Sequence, residues 1–89
     1  MAEFTKYRKN IWKAEAIEDV ATRIKYCIEN EEESKKYYEN RIVEEKGKDE
    51  DNRSEWQIEN YEECLGKVVE KIKLYEQVLK IVDKELAFY

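Results

Sequence analysis

Residues 54–89 read SEWQIENYEECLGKVVEKIKLYEQVLKIVDKELAFY. Within them Ile58, Tyr61, Leu65, Val68, Ile72, Tyr75, Leu79, Val82, Leu86 and Tyr89 follow one another at steps of three and four without exception. A helix is the only regular structure that lines up side chains so spaced, and a sustained 3–4 repeat is the seam of a coiled coil. With Ile58 at a, the a sites are Ile or Leu and the d sites are Tyr or Val. This stretch predicts one long helix, from about 55 to 89, that needs a neighbour along its length.

Upstream, Ser54-Glu55-Trp56-Gln57 has the form of a capping box, in which the Ser54 hydroxyl and the Gln57 side chain would satisfy each other's free backbone N–H groups. Before it lies an acidic connector, 47–54. Gly47 stands where a helix C-terminus favours a left-handed residue, and Lys46 and Lys48 suit the negative end of a helix dipole. A first helix is therefore expected from about residue 5, capped by Thr5, to residue 46.

The apolar line of that first helix is less regular. Phe4, Tyr7, Ile11 and Ala14 are followed one position early by Ile17, Ala21, Ile24 and Ile28, with Val20 and Cys27 widening the stripe. A three-residue jump of this kind overwinds a coiled coil or breaks the helix, here near residues 10–14. Farther on, Glu31 and Lys35 interrupt the line before Tyr38 and Ile42 resume it, predicting a polar waist.

A short connector makes the two helices antiparallel neighbours. With Lys46 opposite Glu55, facing residue numbers add to about 101. Cys27 then faces Leu74 and Cys64 faces Tyr37, which sets the thiols about 15 Å apart along the rod, too far for a disulfide. The same register sets Gly66 opposite Lys35 and Trp12 opposite Tyr89.

The fold class is therefore all-α: a single domain, 1–89, built as a long antiparallel, coiled-coil-like helical hairpin. The absence of Pro, the presence of only two Gly and the 44% of charged residues agree with it. A hairpin alone leaves part of the second helix in water. Leu74, Ile81 and Phe88 recur every seven residues at c, and Cys64 and Val78 lie at g, next to them on the wheel. That row requires either a broken first helix folded back over it or a second copy of the chain. Self-association into a helical bundle is expected, with Leu74, Val78, Ile81 and Phe88 as the oligomer interface.

Charge is divided unevenly. Residues 1–26 carry six Lys or Arg against four acids, residues 27–63 six against fourteen, and residues 64–89 five against four. The acid gathers at the connector, where Glu44, Glu45, Asp49, Glu50 and Asp51 form a candidate docking surface for a host protein with a basic face. At the opposite end Tyr7, Arg8, Trp12 and Lys13, joined by Tyr89, interleave cations and aromatic rings. These could hold a nucleotide-like anion by stacking and phosphate contacts.

Glu29, Glu32 and Glu33, with Glu62 and Glu63, resemble the paired acidic helices that hold magnesium in helical nucleotide pyrophosphohydrolases, but Lys36 stands where the third acid of that pattern belongs. Length and class are also similar to small helical chorismate mutases, although Arg8, Arg23, Arg41 and Arg53 do not fall in that family's setting. No His is present to act as a general base or to activate Cys27 or Cys64. The expectation is a non-enzymatic binding protein without cofactor or metal.

Two cysteines without a secretory leader or an apolar run of membrane length predict a cytoplasmic protein that binds neither membrane nor nucleic acid directly. The bias toward Lys, Glu, Ile, Asn and Tyr resembles that of accessory proteins of AT-rich bacteria and their phages. An inhibitor or adaptor acting through the acidic tip is the first expectation. An oligomer that sequesters a small anion at the basic aromatic end is the alternative, and a small helical enzyme the third.

Overall fold

A computed structural model describes residues 2–88, with side chains from Arg8 to Phe88. Two helices, α1 (Ala2–Lys46) and α2 (Glu55–Leu86), pack along one another as an antiparallel hairpin. The rod measures 77 × 15 × 14 Å. No helix among the described residues is long and apolar enough to cross a membrane.

The described part of the predicted seam on α2, from Ile58 to Leu86, is turned inward, with Ile58 and Val68 the most deeply covered. The α1 side is lined by Ala14, Ile17, Ala21, Ile24 and Ile28, then by Glu31, Tyr38 and Ile42. Facing contacts follow the expected register. Glu31 meets Lys71 at 3.8 Å, Tyr38 packs on Tyr61 with ring centroids 6.3 Å apart, and Glu45 reaches Ser54 at 2.9 Å. Cys27 and Cys64 are both free, and Cys64 lies beside Tyr38.

The polar waist is bridged. Glu31, half-buried, takes Lys71 from the opposite helix, whereas Lys35 points outward to Glu39 at 3.9 Å. Partly exposed pairs of this kind contribute about 0–1 kcal/mol, so the waist is a tolerated interruption of the seam and not its anchor.

Five expectations are corrected. Helix α1 starts at Ala2, ahead of Thr5. Of the two outcomes open at residues 10–14, the unbroken helix is the one observed. In the observed register Ala14 lies opposite the end of α2, so the three-residue jump falls where no neighbour constrains the helix, and the residues before it project past α2 by about three turns, about 18 Å. Helix α2 stops at Leu86, short of residue 89, because the Ala87 and Phe88 N–H groups close a final turn on Asp83 and Glu85.

Gly47 is not left-handed. Its N–H continues the helical pattern to the Val43 carbonyl at 3.0 Å, and Lys48 N–H closes on the Glu45 carbonyl at 3.3 Å, so the chain leaves α1 through right-handed turns. What glycine supplies there is room, since a Cβ would stand 3.3 Å from the Val43 carbonyl oxygen.

Gly66 does not approach α1 either. It sits at a b position, facing solvent, and a Cβ built on it meets nothing within 4 Å.

The last correction concerns the capping box. Ser54 Oγ accepts from Gln57 N–H at 3.2 Å as expected, but the Ser54 N–H donates to Glu45 Oε1 of α1 at 2.9 Å, not to Gln57. A carboxylate is the stronger acceptor, and the hairpin brings one within reach.

Candidate functional site

The connector end is organised by Glu45. Only 5% exposed, it is the one buried charged residue among those described. Its Oε2 accepts from Lys48 Nζ at 2.8 Å while Oε1 takes the Ser54 N–H. One carboxylate thus ties the end of α1, the connector and the start of α2 together. The Lys48 bond, with the Ser54 N–H behind it, holds the carboxyl below its ordinary value of 4.5. Around it, the Asp49 carbonyl accepts from Asn52 and Arg53 N–H at 2.9 Å, and Arg53 Nη2 donates to the Lys48 carbonyl at 3.3 Å. Arg53 also lies 3.8 Å from Glu55.

The acidic tip predicted from sequence is therefore divided. Glu45 is an internal clasp and leaves the set of docking residues, because its oxygens are covered and engaged. Glu44 is exposed and 3.5 Å from Arg41, whose guanidinium also lies over the Tyr37 ring at 5.2 Å. Asp49, Glu50 and Asp51 are exposed, and no ion pair engages them among the described residues. These three carboxylates crown the rod.

The basic aromatic end has a different geometry. Arg8, Trp12 and Lys13 are exposed on the part of α1 that projects past α2, so they form the surface of a single helix. The side chains of Tyr7 and Tyr89 lie outside the described residues. The carboxylates at 29, 32 and 33 are exposed on α1 away from Glu62, which pairs with Lys46 at 3.4 Å, and from Glu63, which pairs with Lys67 at 3.5 Å. Arg23, Arg41 and Arg53 are spread along the rod rather than gathered at one point.

The outer row of α2 is in water. Leu74, Val78, Ile81 and Phe88 are 58%, 45%, 67% and 83% exposed. Beside Ile81 a shallow groove of about 290 Å³ runs between the helices, lined by Ala16, Ile17 and Val20 of α1 and by Ile81, Val82 and Glu85 of α2. The groove extends the apolar row across onto α1, a continuity that the widening of the α1 stripe at Val20 already signals. At the waist, Tyr38 lies edge-on to Tyr37 at 5.3 Å, and the Cys64 thiol beside its hydroxyl, helped by burial, raises its ionisation above the ordinary 10.0.

No protein-family model, curated protein or solved structure matches this chain.

Proposed function

We propose that this chain is a non-enzymatic helical binding protein that engages a basic surface on a host protein through its acidic tip, as an inhibitor or adaptor of the kind carried by bacteria or their phages. The observation that carries the reading is the ordered crown. Glu45 fixes the connector from beneath, so Asp49, Glu50 and Asp51 are presented from a braced turn, and no ion pair among the described residues engages them. Pre-ordered like charges of this kind speed encounter with an oppositely charged surface and pay less ordering entropy on contact. The protein acts in the cytoplasm as a homo-oligomer, which multiplies the number of tips per particle.

Reversing Glu44, Asp49, Glu50 and Asp51 to Lys, with Glu45 left in place, abolishes capture of the host protein while the far-ultraviolet circular dichroism stays helical. Binding by the unaltered chain weakens as salt is raised, since exposed charges are screened over about 8 Å near 0.15 M. Pull-down from host lysate followed by mass spectrometry, run on both chains at two salt concentrations, checks this. A specific partner retained equally by the reversed chain refutes tip docking.

A further inference from the structure

The outer row on α2 is longer and more ordered than its apolar members suggest. Cys64, Lys67, Lys71, Leu74, Val78, Ile81, Glu85 and Phe88 succeed one another at steps of three and four, a second heptad seam beside the first. A knob on such a seam needs a facing helix, and α1 already occupies the first seam.

The charges on this second seam say which helix faces it. Reading toward the C-terminus, Lys67 and Lys71 precede the apolar centre and Glu85 follows it, with Glu70 and Lys84 at the flanking positions. Set antiparallel to itself, the row is complementary. When facing positions add to about 152, Leu74 of each copy meets Val78 of the other across the two-fold axis. In the same register Lys67 meets Glu85, Cys64 meets Phe88, and the Lys71 stem covers Ile81. The flanking positions agree independently, because Glu70 then comes beside Lys84 of the other copy and Gln77 beside Gln77 on the axis. A parallel arrangement would stack each of these charges on its own like.

We infer that the outer face of α2 seats a second copy of this chain, antiparallel and centred between Leu74 and Val78, giving a four-helix core with the two acidic tips at opposite ends of a thicker rod about as long as one hairpin. Two further observations favour this occupant. No side chain among the described residues is fully buried within one hairpin, so a single copy has a thin core to stabilise it. The row is also continuous with the groove at Ala16, Ile17 and Val20, so the face offered to a second copy spans both helices. The inference deepens the homo-oligomer part of the proposed function and uses no tip residue, so either can fail alone.

Charge exchange tests the register. Sedimentation equilibrium of the unaltered chain shows a dimer. Lys67→Glu and Glu85→Lys each place two like-charge layers in the interface and weaken dimerisation roughly 10- to 100-fold, whereas the double exchange restores it to near the unaltered value. The helical signal of each variant, read by circular dichroism, confirms that the hairpin persists.

A second route avoids charge. In a Cys27→Ser background, Phe88→Cys under mild oxidation gives a covalent dimer joined from position 88 to Cys64 of the second copy, and Glu76→Cys, on the opposite side of α2, does not. An unaltered chain that stays monomeric at every concentration overturns the inference and leaves the face to another protein. An oligomer that neither responds to the exchanges nor cross-links from position 88 to Cys64 overturns the register.

Discussion

Val68→Asp unfolds the hairpin. Val68 lies at a d position of the first seam, 6% exposed, in the middle of the contact with α1. A carboxylate there loses the burial of an apolar side chain and gains no free partner, since Lys71, one turn on, is already paired with Glu31 across the helices at 3.8 Å. Burying an unpaired charge belongs to the short list of changes that cost about 4 kcal/mol or more. Folded domains have about 5–15 kcal/mol in all, and a hairpin whose buried apolar residues, among those described, are Ala21, Ile58 and Val68 sits at the low end, so this loss removes most of it. The helical signal of Val68→Asp at 25 °C therefore falls to that of a largely unfolded chain. Val43→Asp, the same chemical change at a residue 70% exposed, stays within about 0.5 kcal/mol of the unaltered protein. Thermal and urea melts of the two variants, followed by circular dichroism, check both halves.

Glu45→Ala opens the connector. It leaves the Ser54 N–H without its partner, frees Lys48 and removes the tie between α1 and the start of α2. The melting temperature, compared at one protein concentration, drops on the order of 5–10 °C. Amide hydrogen exchange at Ser54 and through the connector accelerates more than exchange at Val68, because the damage is local.

The same carboxylate gives the fold a pH dependence of definite sign. Lys48 and the Ser54 N–H favour its charged form in the folded state and hold its pKa below the ordinary 4.5. That stabilisation is fully present above the unfolded-state value and is lost as pH falls below about 4.5 toward the folded-state value. In Glu45→Gln the acceptor for Ser54 is kept and the titration removed. The melting-temperature gap between the unaltered chain and Glu45→Gln is then widest near pH 6 and narrows as pH falls below about 4.5.

Much of the architecture is legible in the sequence, for a physical reason. The uninterrupted 3–4 spacing from Ile58 to Leu86 allows one helix and one buried face, and the short polar connector permits only an antiparallel neighbour. The register follows from the connector's length alone. Glu45 escaped because its role lies in a contact between two helix ends, which local capping rules do not reach. A signal for it exists: continuing the line of Tyr38 and Ile42 by three lands on Glu45, a charge at a seam position opposite an N-cap serine. Counting rows along the rod sets Gly66 against α1, yet its place directly after Leu65 in the heptad turns it outward. Charge density points to the tip but does not separate a carboxylate that holds the turn from those the turn presents.

Small-angle X-ray scattering on a monomeric Ile81→Glu variant distinguishes an extended two-helix hairpin from one whose α1 folds back. The extended hairpin gives a radius of gyration close to 20.9 Å and a longest dimension near 77 Å. A particle of about 12 Å, the value for a compact globule of this length, would mean that α1 breaks and covers the outer row itself, and would contradict it.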